Sequence, residues 1–352
     1  MKRSLGTAIA LVVVTASILV FGFYFHAAAQ PQLQKVYIGS SPALSSAGIF
    51  IALERGYFAE EGIEAIEKTF SSASAQFMPS LIRGDLHVGG GNISPGLYNA
   101  FNEGHGVRIV ADKGFVGKGC GYLALIAAIK NVPDGDPSKF RIKKGYTMAV
   151  TARGVTQEIV TERWCRKFGL ELSDIRLVTM PYSAFVPALA NGSLDATVEI
   201  EPHVARAVAE GAAIRIAGDE EAYFDPYQQS AAIFYSEKFI TEHPDLAQRW
   251  MNAYLRGLRD YNDAFFHNKD FDEIVKILIK WTKVKDAALY RKMVPVGLSP
   301  DGALNIQSLR QDAQWMHDHG YVKKPVDINQ IVDTRWIEAA LKKLGPYTPP
   351  SQ

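Results

Sequence analysis

The sequence predicts an α/β protein of two lobes, each a mostly parallel sheet flanked by helices. Three observations support this class. From Pro31 onward, short β-branched runs alternate with helical stretches. The chain has 352 residues, 47% of them hydrophobic, which is enough for two domains of ~150 residues with sizeable cores. Finally, a ten-residue pattern occurs twice in the chain.

The first group of elements lies in residues 30–128, which we assign to the first part of lobe 1. Its strands are β-branched or apolar runs, and its first helix stops at Gly56. The predicted strands are 36–38, 63–70, 86–89, 107–111 and 122–126, and the predicted helices are 46–55 and 76–82. Pro133, Gly135 and Pro137 then indicate a connector at residues 129–146.

The second group repeats this alternation in residues 147–222, which we assign to lobe 2. Val160, Trp164 and Phe168 fall four apart on one face of a helix that follows Gly154. The predicted strands are 147–150, 177–180 and 213–217. Residues 223–352 return to lobe 1 through an apolar run at 231–235, and the chain is mostly helical from there to its end.

The repeated pattern is F-x-P-x-L-x-x-G-x-L. Its copies start at Phe77 and Phe185, and each predicts a helix, a glycine turn and a strand. Chance, or the general frequency of such turns, is the alternative explanation. We interpret the repeat as two lobes of similar build, which places residues 92–94 and 201–203 at corresponding strand ends.

Residues 1–29 predict a signal peptide or an N-terminal membrane anchor. Lys2 and Arg3 precede an uncharged, mainly apolar run at residues 5–25, and small residues follow at 27–29. The run is long for a signal peptide, so retention as an anchor stays open. Either alternative places the rest of the chain in the periplasm or cell envelope.

Composition argues against several classes of function. The 38 Lys and Arg residues almost balance the 37 Asp and Glu residues, which gives no field to attract nucleic acid. Cys120 and Cys165 form neither a CxxC pair nor a metal cluster. The run Gly89-Gly90-Gly91 lacks the ending of a phosphate loop. We therefore expect no catalytic residue, metal or cofactor.

Candidate ligand-binding residues follow the predicted strands. Ligands of open α/β sheets bind beyond the carboxyl ends of the strands, where helix N-termini present free amides. In lobe 1 the candidates are Ser41, Ser72 and Asn92, whose hydroxyl and amide groups suit a small polar molecule. The same residue types are also common helix caps, which is the alternative role for each.

In lobe 2 the candidates lie in the loop after strand 147–150 and at two later strand ends. Gly154 lets the backbone approach a ligand, and the helix start at Thr156 would hold a negative group. Glu201 would accept hydrogen bonds from a ligand donor, although exposure to solvent is the usual state of a glutamate. The full set is Thr151, Gly154, Thr156, Tyr182 and Glu201.

Three segments also resemble a known family. Residues 46–63, SAGIFIALERGYFAEEGI, contain a G-Y/F-F-x-x-E-G-hydrophobic element. Two other parts of the chain add to the likeness: the strands of the repeat, in LIRGDLHVG and LANGSLDAT, and the ending GYVKKPVDINQIVDTRWIEAALKKLG. Together they resemble solute-binding proteins of bacterial ABC importers, in the branch of sulfonate, taurine, nitrate and pyrimidine-precursor binders. The resemblance implies a two-lobed periplasmic-binding-protein fold of type II with a ligand cleft between the lobes.

The resemblance implies an exported protein that captures a small organic solute for the permease of an ABC importer, and it favours a monomer. One alternative is an enzyme of the pyrimidine-precursor synthase type on the same fold. That enzyme has a cysteine cluster, whereas Cys120 stands alone here. Another alternative is a receptor that reports its ligand to a membrane sensor.

Overall fold

The computed structural model describes residues 32–70, 73–218, 227–282 and 284–350. The chain divides into two units, Met1–Gln34 and Lys35–Gln352, and the second carries the fold described below. The predicted signal or anchor at residues 1–29 and the candidate Ser72 lie outside the described residues. Within the described ranges, no helix has the length and apolar character needed to span a membrane.

The first half of the chain builds four strands of one sheet and the helices between them. The apolar runs predicted as strands form strands here, and glycines end the helices. The elements are β1 (Gln34–Ser40), α1 (Ala47–Glu54), α2 (Tyr57–Glu60), β2 (Ile63–Thr69), α3 (Ala73–Arg83), β3 (Val88–Asn92), α4 (Pro95–Asn102) and β4 (Val107–Gly117).

The chain then builds a second sheet. Short 3₁₀ turns occupy the predicted connector, where proline fixes the backbone and removes a hydrogen-bond donor. The elements are β5 (Leu123–Ala128), β6 (Thr147–Val150), α5 (Thr156–Lys167), β7 (Arg176–Thr179), α6 (Tyr182–Ala190), β8 (Ala196–Ile200), α7 (His203–Ala209) and β9 (Ala213–Ala217).

The last third returns to the first sheet through one strand and is then helical, as predicted. The strand is β10 (Tyr227–Ser236), which inserts between β3 and β4. The helices are α8 (Glu237–Glu242), α9 (Pro244–His267), α10 (Phe271–Trp281), α11 (Ala287–Lys292), α12 (Ile306–Asp318), α13 (Ile328–Ile331) and α14 (Arg335–Leu344).

The two five-stranded sheets have the same arrangement. Their strand orders are β2-β1-β3-β10-β4 and β7-β6-β8-β5-β9. β1 is parallel to β3 and β6 is parallel to β8, whereas β10 and β5 run antiparallel to both of their neighbours. Each sheet is therefore mixed, and the predicted α/β class with two sheets is confirmed.

One predicted strand belongs to the other sheet. We assigned residues 122–126 to lobe 1, but β5 pairs with β8 and β9 of the second sheet. The chain therefore crosses between the sheets at residues 118–122, before the connector. The composition of an apolar strand does not identify its partner, because hydrogen-bond pairing is made by the backbone. The remaining lobe boundaries stay a prediction.

The repeat forms the same structure in both sheets. α3 leads through Gly84 into β3, and α6 leads through Gly192 into β8; both glycines adopt the left-handed conformation, with φ of 78° and 79°. The amide of Leu86 donates to the Ser80 carbonyl at 3.2 Å, and the amide of Leu194 donates to that of Ala188 at 3.0 Å. The predicted helix, turn and strand are confirmed in both copies.

The glycine run of β3 is a packing feature. A Cβ atom on Gly89 would lie 2.5 Å from Cε2 of Phe77, and one on Gly90 would lie 2.9 Å from Cε of Lys113. Phe77 is the first residue of the repeat and is 1% exposed. The missing side chains thus let α3 pack closely on one face of β3 and a lysine stem on the other.

Candidate functional site

A cavity lies between the two sheets, at the carboxyl ends of β1, β3, β8 and the strand-to-helix turns beside them. Its volume is about 50 Å³. Ser41, Pro42, Ala43, Ser45, Asn92 and Ser230 line it from the first sheet, and Tyr122, Leu123, Thr156, Gln157, Tyr182, Ser183, Ile200 and His203 line it from the crossing segment and the second sheet.

The first-sheet wall is the loop after β1 together with the end of β3. The loop turns back on itself because Ser46 Oγ donates to the carbonyl of Ser41 at 2.8 Å. Ser45 Oγ, deeper in the same loop, accepts a hydrogen bond from Lys113 Nζ at 3.0 Å. The carbonyl of Asn92 accepts from Ser74 Oγ at 2.8 Å, which fixes the end of β3. This wall presents hydroxyl and amide groups.

The second-sheet wall begins at the N-terminus of α5. Gln157 is 3% exposed, and its Oε1 accepts from the amide of Thr151 at 2.7 Å and from Thr151 Oγ1 at 3.2 Å. Its Nε2 donates to the carbonyl of Val198. Gln157 therefore ties the loop after β6 to β8 and fixes the position at which α5 begins.

Tyr182, the first residue of α6, and Asn92, the last residue of β3, both line the cavity, one from each sheet. Burial, followed by the nearby Glu199 carboxylate, raises the pKa of Tyr182 well above its ordinary value. Its ring stacks on that of His203, with centroids 6.1 Å apart and planes 17° apart. The hydroxyl therefore stays protonated and able to donate a hydrogen bond.

A second contact joins the crossing segment to the first sheet. The Tyr122 and Ser230 hydroxyls are 2.7 Å apart, and Ser230 Oγ donates to the carbonyl of Gly114 at 2.9 Å. Because the Ser230 proton is used in that bond, the Tyr122 hydroxyl is the donor of the pair. The result is a fixed chain of hydrogen bonds on the crossing side of the cavity.

Behind the cavity, α5 meets α12. Thr156 Oγ1 lies 3.5 Å from Asp312 Oδ2, and Gln228 Nε2 donates to both oxygens of Asp312 at 2.8 Å. Gln228 in turn accepts from Arg163 at 2.7 Å. Burial raises the pKa of Asp312 to about 7, although its contact with Gln228 and the charge of Arg163 act in the opposite direction. This network couples the second sheet to the C-terminal helices.

Four of the eight predicted site residues line the cavity: Ser41, Asn92, Thr156 and Tyr182. Thr151 does not line the cavity, but its amide donates a hydrogen bond to Gln157, which does. These placements leave the predicted ligand contacts untested.

Gly154 and Glu201 are placed away from the lining. The amide of Gly154 donates to Glu158 at 2.6 Å, and a Cβ atom at Gly154 would lie 2.5 Å from Pro95 Cγ. Glu201 accepts from Arg215 at 3.2 Å and from the amides of Ala205 and Val294 at 2.9 and 3.3 Å. Burial raises its pKa to about 6.

Sequence reasoning did not select Ser45, Gln157 or Ser230. Ser45 and Gln157 belong to loops that the strand-end rule had singled out, so the rule identified the loops and missed the residues within them. Ser230 gave no signal, because β10 reaches the cavity only through its pairing with β3 and β4. In the described part of the chain, no group of three or more His, Cys, Asp or Glu residues is placed to hold a metal ion.

A model of the NMT1-like family matches residues 29–278. No curated protein matches the sequence. The fold is similar to that of a ligand-binding component of an ABC-type import system from Staphylococcus aureus with zinc bound: the TM-score is 0.71 and the identity 14%, over 87% of this chain and 99% of that one.

Two further structures have the same fold. The periplasmic aliphatic sulphonate binding protein SsuA from Escherichia coli has a TM-score of 0.66 and 17% identity, over 91% of this chain and 94% of that one. The periplasmic nitrate-binding protein NrtA from Synechocystis PCC 6803 has a TM-score of 0.69 and 14% identity, over 92% and 93%. The predicted periplasmic-binding-protein fold is thereby confirmed.

Proposed function

The chain belongs to the NMT1-like family, and we propose that it is an exported binding protein that captures a small organic solute and delivers it to the permease of an ABC importer. One observation carries the proposal: a cavity between the two sheets is lined from both sides by hydroxyl and amide groups. A solute held there contacts both lobes at once. Ligand affinity can then favour the closed arrangement over an open one.

The placement of Asn92 and Tyr182 supports this proposal, since both line the cavity and one belongs to each wall. We propose that both side chains bind the solute, together with Ser41 and the start of α5 at Thr156. In the same proposal, Thr151 and Gly154 hold the loop before α5, Glu201 holds the start of α7, and Ser72 remains a predicted contact. Ser45 and Gln157 join the set because they line the cavity.

The location and the partner follow from the same proposal. An exported, monomeric protein of this fold would present its closed, loaded form to a membrane permease. We favour binding over catalysis because the three structures compared above are described as binding proteins. None of the described residues gives specific support to the synthase or receptor alternatives.

The test is a thermal-shift screen of the purified mature protein with sulfonates, aromatic acids, pyrimidines and amines. A ligand at a hundredfold excess over its dissociation constant stabilises the native state by ~2.7 kcal/mol. We expect at least one compound to raise the Tm of the wild type, and Asn92→Ala and Tyr182→Phe to reduce that rise. Gln307→Ala, an exposed change on α12, is the control. Equal shifts in all four proteins would place the solute elsewhere.

A further inference from the structure

One face of α5 is turned toward α12, a helix that packs on the other sheet. Gln157 donates to the backbone of β8 and so fixes α5 to the second sheet. Leu309, Ala313 and Met316 of α12 instead pack in a core with β4 and β10 of the first sheet. Ile159 of α5 is 1% exposed and joins that same core. α5 therefore spans the boundary between the two lobes.

Two glutamates lie four positions apart on this face of α5. Glu158 is 0% exposed, and its Oε1 accepts from the Tyr321 hydroxyl at 2.9 Å. Glu162 is 4% exposed and accepts from Trp315 Nε1. Its Oε1 also lies 3.3 Å from His319 Nε2. Both carboxylates of the second-sheet helix are thus bound by groups at the end of α12 or just after it.

The same carboxylates are also held from their own side. Glu158 accepts from Arg153 Nε at 2.9 Å and from the amide of Gly154 at 2.6 Å. Glu162 accepts from Arg166 at 2.9 Å. Because these donors belong to α5 and the loop before it, they keep the carboxylates in place whatever the position of α12. The bonds from the α12 side, by contrast, require the two lobes to be together.

The contact lies away from the segments where the chain crosses between the sheets. The crossings join β4 to β5 and β9 to β10. β5 and β9 lie at one side of the second sheet, whose strand order is β7-β6-β8-β5-β9. α5 follows β6, near the opposite edge. A hinge motion about the crossings would therefore separate α5 from α12.

Most of the groups in this contact are polar. Thr156 Oγ1 lies 3.5 Å from Asp312 Oδ2, and this pair continues the row of carboxylates toward the cavity. Trp315 and Tyr321 are half-buried, so water reaches them when the helices part. Opening then exchanges each hydrogen bond for one with water at a small net cost, and lobes joined by a polar interface can move apart.

We propose that Glu158 and Glu162 form a latch between the lobes, which holds them together around the solute and slows its release. The proposal rests on the solute-binding function above. Neither glutamate lines the cavity, so both are positioning residues. The latch stabilises the closed arrangement in addition to the solute's own contacts, and the solute leaves only after the latch opens.

The test is a double variant, Trp315→Phe with Tyr321→Phe, which removes both donors and keeps both rings. Small-angle X-ray scattering of the mature protein without added solute should give a larger radius of gyration for the variant than for the wild type. The screen compound with the largest rise in Tm should dissociate about tenfold faster in stopped-flow measurements, because a hydrogen bond to a charged group contributes at least about that factor.

The matched control is Trp336→Phe with Tyr57→Phe. These side chains also donate to carboxylates, those of Asp333 and Asp260, at 3.0 and 2.6 Å. Both bonds join elements that pack around the first sheet, so their loss leaves the contact between the lobes intact. The control should keep the radius of gyration and the dissociation rate of the wild type.

Tyr321→Phe alone covers the case in which the double variant does not fold, and it should show the same changes to a smaller extent. An unchanged radius of gyration, an unchanged dissociation rate, or equal changes in the control would overturn the latch. If the solute still binds through Asn92 and Tyr182 in that case, the solute-binding function stands without it. If the double variant expands but no compound of the screen binds any of the proteins, the contact between the lobes stands and the solute-binding function fails.

Discussion

Replacing Gly89 with alanine is expected to destabilise the first sheet. The new Cβ would lie 2.5 Å from Cε2 of Phe77 and 3.2 Å from Cδ2 of Leu81. Both side chains are buried, at 1% and 0% exposure, so neither can move out into solvent. Overpacking of this kind costs about 1–3 kcal/mol, whereas the lower entropy of an unfolded alanine returns only about 0.4–1 kcal/mol. The expected net loss is about 1–2 kcal/mol.

Urea denaturation followed by circular dichroism measures this loss as a lower transition midpoint with an unchanged slope. Gly96→Ala is the control: its Cβ would lie 3.9 Å from Ser94 Oγ, and it falls within α4, where alanine is preferred to glycine. That variant should be as stable as the wild type or more so. If Gly89→Ala unfolded at the same urea concentration as Gly96→Ala, the close packing of α3 on β3 would be refuted.

Three further predictions concern other parts of the molecule. Tyr122→Phe removes the hydrogen bond to Ser230 and should lower the free energy of unfolding by about 1 kcal/mol in urea denaturation; no change would mean that the bond is replaced by water. The pKa of Asp312 rises from 3.8 to about 7 on folding, so the folded state holds its proton more tightly and stability falls as the pH rises from about 4 to 7. At 1.36 kcal/mol per pKa unit, Asp312→Asn should remove up to about 4 kcal/mol of this pH-dependent loss of stability. Unfolding curves of the variant that keep the wild-type pH dependence would contradict the raised pKa of Asp312. Burial raises the pKa of Cys165 to about 12, so this thiol should react with Ellman's reagent at pH 8 only after unfolding, and Cys165→Ser provides the comparison.

The sequence predicted those parts of the fold whose signals are local. The run of Val160, Trp164 and Phe168 belongs to α5 and its C-cap, and the glycines of the repeat end α3 and α6 where expected. These features depend on residues within a few positions of one another. Helical spacing and glycine turns are visible in such a window.

The errors and omissions concern contacts between distant segments. β5 was placed in the wrong sheet because its partners, β8 and β9, come later in the chain and pair through the backbone. The hydrogen bond between Lys113 and Ser45 gave no signal in the sequence, since the two residues are 68 positions apart and only the strand order brings them together. The strand-end rule identified the cavity loops because it follows from the geometry of α/β sheets. It does not state which side chain of a loop faces inward.

A crystal structure of the protein bound to a solute from the thermal-shift screen tests the central claim most directly. Our account predicts electron density for the solute between the two sheets, within hydrogen-bonding distance of Asn92 on one wall and Tyr182 on the other. Density for a solute that contacts only one lobe, or that lies outside this cavity, would contradict it.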